Sequence, residues 1–121
     1  MRTVIALAAI GLAMLGANAA QARTWFTLNR DNNACGTMGQ IFGRHDFPLS
    51  TPADFIAVVG REGKQVLYVK TFTLPNDGRQ VDIKLIGGSG DWLFFSSLAV
   101  CQVRLATIVT HGGNPYAGLT Q

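Results

Sequence analysis

His45 and Asp46 stand side by side in the run Phe42-Gly43-Arg44-His45-Asp46-Phe47-Pro48, and His111 is the other of the chain's two histidines. Two imidazoles and a carboxylate form a donor set suited to zinc. A histidine within reach of a hydroxyl or a bound water is also the general base that hydrolysis needs. These three residues define the catalytic alternative for the chain, a small hydrolase or metal-dependent enzyme using His45, Asp46 and His111. Their spacing does not force them together, because adjacent side chains leave the backbone in different directions and His111 lies far along the chain. They read first as a solvated polar loop, with Arg44 and His45 available to a partner.

Other chemistries find less support. Ser89 in Gly87-Gly88-Ser89-Gly90-Asp91 lacks the flanking pattern of a nucleophile elbow. The same glycines lack the Gly-Lys-Ser/Thr of a phosphate loop and lead into a strand-like Trp-Leu-Phe-Phe run instead of a helix. Asp54, Asp77 and Asp82 are each better used by structure, as a helix-start residue, a turn residue and the wet side of a strand, than as a hydrolytic carboxylate pair. No catalytic, cofactor-binding or metal-ligating residue is therefore assigned, and no cofactor is called for.

Cys35 and Cys101 are the two cysteines. They lack the close Cys-x-x-Cys spacing of a redox pair, and in a small exported domain two cysteines read as one disulfide. Closing that long loop removes chain entropy worth about 4 kcal/mol, a large share of a stability of roughly 5 to 10 kcal/mol.

The export reading comes from residues 1–22. Arg2 precedes an apolar run from Val4 to Leu15, and small residues follow through Ala17-Asn18-Ala19-Ala20-Gln21-Ala22. This is the pattern of a cleaved signal peptide, with cleavage after Ala19 or Ala22. The run is shorter than the roughly 20 residues a membrane-spanning helix needs. The address is periplasmic or secreted, by a bacterial-type signal and without a membrane anchor. Residues 23–121 are then a single exported domain. Without Arg2 the balance is nine Lys/Arg against seven Asp/Glu. That lacks the clustered basic charge of a nucleic-acid binder.

The positioning elements follow from pattern. Arg23 to Leu28 reads as a strand and residues 34–47, with three glycines, as an irregular connection. Thr51-Pro52-Ala53-Asp54 starts a helix that Gly60 to Gly63 ends. Gln65 to Thr73 and Gln80 to Ile86 flank Pro75-Asn76-Asp77-Gly78 as an antiparallel hairpin. Asp91 to Phe95 adds a third strand to this meander. Its unalternating Trp-Leu-Phe-Phe run suits burial on both faces or at a tightly covered edge. Ser96 to Thr110 fits either a helix capped by Ser97 or a strand, the helix being preferred, and the tail from about His111 reads as loosely held. The expected fold is α+β: a small antiparallel sheet in the order β-α-β-β-β-α, helices on one face, and a single disulfide.

Trp25 and Trp92 read as core or edge packing. Tyr68, Lys70 and Phe72 share one side of a strand, which becomes a contact surface if the helices cover the opposite side. With Arg44 and His45 they are the candidate partner-binding residues. The leading functional reading is a non-enzymatic exported binding module, such as an inhibitor, an immunity-type protein or an envelope accessory factor, whose partner is a protein or envelope component.

Overall fold

The structure is a computed structural model and describes residues 24–29, 32–43 and 49–119. Residues 1–22, read above as a signal peptide, and Arg44, His45 and Asp46 lie outside the described residues. Five strands, β1 (Phe26–Asn29), β2 (Ala34–Thr37), β3 (Val66–Thr73), β4 (Arg79–Leu85) and β5 (Asp91–Phe95), form one sheet in the order β2-β1-β5-β4-β3. Every neighbouring pair is antiparallel. Three helices accompany it, α1 (Met38–Phe42), α2 (Pro52–Arg61) and α3 (Leu98–Thr110). The α+β class, the antiparallel sheet and the Cys35–Cys101 disulfide are those read from the sequence.

Each helix starts where its cap dictates. The Thr51 hydroxyl accepts from the Asp54 amide at 3.2 Å, while Oδ2 of Asp54 accepts from the Thr51 and Ser50 amides at 3.0 and 2.9 Å. This reciprocal arrangement satisfies donors that the first turn cannot use internally. Ser97 caps α3 by accepting from the Val100 amide at 3.1 Å. The helical reading of the last segment therefore holds.

The helices cover both faces of the sheet, which corrects the one-face arrangement expected above. Neighbouring residues on a strand point to opposite faces. Phe94 joins Val81, Ile83 and Leu85 against Phe55, Val58 and Val59 of α2. Leu93 and Phe95 point the other way, to Cys101 and Ile108 of α3. The unalternating run of β5, at the centre of the sheet, is the physical cause, since both its sides are apolar and each needs a cover. Phe94 and Phe95 are wholly buried, each worth about 1.5–3 kcal/mol of transfer free energy.

The glycine-rich segment after Asn33, expected to be irregular, instead carries β2 and α1. β2 is held by its register with β1, from Phe26 opposite Thr37 to Asn29 opposite Ala34, and by the disulfide to α3. Ile41 of α1 rests on the strand at Gly36, where a Cβ would lie 2.9 Å from its Cδ1 and the end of that side chain would have to shift.

Candidate functional site

β4 organises the site. Val81, Ile83 and Leu85 face α2, so Gln80, Asp82 and Lys84 face the α3 side. Alternation along β4 alone puts Asp82 on a wet surface. Instead Gln80 and Asp82 are both fully buried, because the chain after α3 folds back over them.

Arg104 holds that returning chain. It is 6% exposed and uses three guanidinium nitrogens at once. Nε donates to Oε1 of Gln80 at 2.7 Å, Nη1 to the Ala117 carbonyl at 2.6 Å and Nη2 to the Pro115 carbonyl at 3.1 Å. Nε2 of Gln80 donates to the same Pro115 carbonyl at 3.0 Å. Burial pulls the Arg104 pKa below its ordinary value. The planar fork makes these directed bonds, which a point-charge ammonium would not. Residues 114–119 are thus docked on the sheet, where the sequence suggested a loose end.

Tyr116 completes the cover. Its ring lies 5.7 Å from that of Phe72, and its hydroxyl donates to Oδ2 of Asp91 at 3.1 Å. The Tyr68 hydroxyl donates to the Asp91 carboxylate, 3.1 Å from each oxygen, and lies 3.3 Å from the Tyr116 hydroxyl. The Lys70 ammonium sits over both rings, 4.7 Å from the Tyr68 centroid and 5.1 Å from that of Tyr116, an arrangement the negative ring faces favour. Lys70 is also directly opposite Asp82 across the β3–β4 ladder.

Asp82 is the anomaly of this cluster. Neither of its oxygens has a hydrogen-bond partner. Burial pushes its pKa up to about 6; the Tyr116 hydroxyl and the Lys70 charge pull it down, while Asp91 pushes it up by sharing a proton and by charge. The same environment raises the tyrosines. At Tyr116 burial acts first, then Asp82 and the Tyr68 hydroxyl. At Tyr68 the Tyr116 hydroxyl pulls downward, and burial with Asp91 outweighs it. Burial with no hydrogen bond made to the carboxyl favours the neutral acid, whose one O–H can donate to a neighbouring carboxylate. Asp82 therefore binds its proton more tightly than an ordinary carboxylate does.

Of the candidate binding residues, Tyr68, Lys70 and Phe72 are brought together as expected, but under residues 114–119 and not on an open surface, and Phe72 is only 8% exposed. The open side of β3 is the reverse one. Val69 is 47% exposed and the bulged Leu67 56% exposed, while α2 spends its buried side chains over β4 and β5. His111 is exposed at the end of α3, with Nδ1 2.8 Å from the Thr107 carbonyl oxygen. Among the described residues no three His, Cys, Asp or Glu side chains are grouped for a metal. Ser89 lies in a bend just after the turn that the Gly88 amide closes on the Leu85 carbonyl at 3.0 Å.

Comparison with known proteins finds no match. No family model fits the chain, and no curated protein or solved structure is significantly similar to it.

Four contributors to the cluster, Asp82, Asp91, Tyr116 and Arg104, were not singled out from the sequence. One signal was available. The hairpin register about Pro75–Gly78 sets Lys70 opposite Asp82, and oppositely charged cross-strand neighbours on a face with Tyr68 and Phe72 mark that face as one to be covered.

Proposed function

We propose that this protein is a non-enzymatic exported binding module that takes a protein partner along the outer edge of β3, which no described strand pairs. The observation that carries the reading is the combination found there. β3 is an eight-residue strand at the end of the sheet, and its exposed side chains include Leu67 and Val69. An outer strand offers unpaired main-chain groups, and natural proteins usually blunt such an edge with charge or proline. Here the one charged residue of the strand, Lys70, is folded inward over the tyrosines. The edge therefore suits an extended partner segment that adds a strand, with apolar side chains meeting Leu67 and Val69. The disulfide supports an oxidising compartment. No described helix is long and apolar enough to cross a membrane.

The test is capture by cross-linking in an envelope extract with oxidised protein, followed by mass spectrometry, comparing the native chain with Val69→Lys and with a His45→Ala, His111→Ala variant. A partner lost only with Val69→Lys supports the reading. A partner retained by Val69→Lys overturns it, and a hydrolytic activity lost in the histidine variant replaces it with the enzymatic alternative.

A further inference from the structure

We propose that residues 114–119 form a strap over the β3–β4 face, latched by a proton held between Asp82 and Asp91: docked while the proton is present and lifted when it is lost. The inference does not rest on the binding reading, since it concerns the opposite face of β3.

Asp82 has two forms with different needs. As a neutral acid it has an O–H to give to the Asp91 carboxylate, which stands on the same face of the neighbouring strand β5 and also accepts from the Tyr68 and Tyr116 hydroxyls. As a carboxylate it is buried with both oxygens unpaired, beside a second carboxylate, and needs water or a donor. Every element around it enters the balance. From β3, Lys70 attracts the ionised form, and Tyr68 is already turned to Asp91. From β5, Asp91 repels it. On β4 itself, the Lys84 ammonium is engaged with the Gly88 carbonyl at 3.2 Å. From α3, the Arg104 guanidinium is spent on Gln80 and the strap carbonyls. From the strap, only the Tyr116 hydroxyl can turn toward Asp82. One cation and one shared hydroxyl leave the balance against ionisation, and the pKa of about 6 reflects that.

Ionisation must therefore admit water, and the surroundings decide from where. On its two flanks Asp82 is closed by the paired strands β3 and β5. On its face it is covered by the strap. The strap's own amides close short local turns, Ala117 to Asn114 at 3.1 Å and Leu119 to Tyr116 at 2.9 Å, and no strand ladder ties it to the sheet. Lifting it exposes Asp82 at the loss of a few bonds, whereas unzipping the sheet would break the core. Local opening follows the weakest cooperative unit.

The test is NMR of the full oxidised chain from about pH 5 to about pH 8, reading nuclear Overhauser contacts between the rings of Tyr116 and Phe72, with the amide shifts of β4 and β5 as an internal check of the fold. The expected result is contacts present at the acid end and lost with a midpoint near 6, while the sheet shifts persist. In Asp82→Asn the contacts persist throughout. In Asp91→Asn, which keeps Asp82 and removes its repelling neighbour, the midpoint moves to lower pH; this variant also decides the matter if Asp82→Asn does not fold. Contacts unchanged across the range in the native chain overturn the proposal. So does their loss together with the sheet shifts, or an identical loss in both variants.

Discussion

Replacing Asp82 with asparagine should stabilise the protein at neutral and alkaline pH, against the usual outcome for a buried polar substitution. A carboxyl whose folded pKa lies above its unfolded one binds its proton more tightly in the folded state. Its contribution is fully present below the unfolded value of 3.8 and is lost as pH rises through the folded value of about 6. That interval, at about 1.4 kcal/mol per pH unit, corresponds to about 3 kcal/mol. The carboxamide of Asp82→Asn would have nearly the shape of the carboxyl, would not ionise, and could donate its amide hydrogen to Asp91. The variant should match the native chain near pH 4 and exceed it by up to about 3 kcal/mol near pH 8. A strap that lifts for less than this sets the gain at the lower figure. Urea unfolding of both proteins across the range measures the difference directly, and taking the difference cancels the pH dependence of groups that the two share. At about 4–8 °C per kcal/mol for a domain of this size, the shift is also large enough for thermal melts. A variant less stable than the native chain at pH 8, or a difference constant from pH 4 to pH 8, would refute the reasoning.

Removing the disulfide by changing both Cys35 and Cys101 to serine should lower stability by about 4 kcal/mol, within the 2–5 kcal/mol seen when small domains lose such a link; an unchanged denaturation midpoint would contradict it. Gly78→Ala places a Cβ 2.6 Å from Cγ2 of Val100, so the turn before β4 must back away from α3 at a cost of about 1–3 kcal/mol, readable as a lower melting temperature. Arg104→Met strips Gln80 Oε1 and the Ala117 carbonyl of their donor and leaves the Pro115 carbonyl only the bond from Gln80 Nε2. It should cost about 2–4 kcal/mol and make the chain after α3 sensitive to carboxypeptidase while α2 and the sheet stay protected, whereas equal resistance in both proteins would count against the docking role of Arg104.

The parts of the fold that local rules govern were legible. Thr51-Pro52-Ala53-Asp54 carries its own start signal, and Pro75-Asn76-Asp77-Gly78 sits between two β-branched runs. Cys35 and Cys101 had one intramolecular pairing available. What was illegible depended on partners distant in sequence. β2 contains Cys35 and Gly36 and has no strong strand propensity; its register with β1 and its link to α3 make it a strand. Arg104 on an apolar helix looked like an incidental charge, and its meaning appears only when Pro115 and Ala117 return beneath it. Asp82 alternated with valine and isoleucine as a solvent-facing residue would, and the pattern could not indicate that the end of the chain covers that side. The same blind spot made Tyr68, Lys70 and Phe72 look like an open surface.

Among the exposed apolar side chains of the described residues, the β3 edge with Leu67 and Val69 is set against the outer side of α3 with Val103 and Val109, the most exposed pair on that helix. β3 adds unpaired main-chain groups that a helix, its hydrogen bonds closed internally, lacks. The most direct test is therefore a photo-reactive amino acid at position 67 or at position 103, with the protein produced and exported in its host and irradiated in place. The account predicts a discrete adduct with another protein from position 67 and none from position 103. Adducts confined to position 103 would contradict it and move the contact surface to α3.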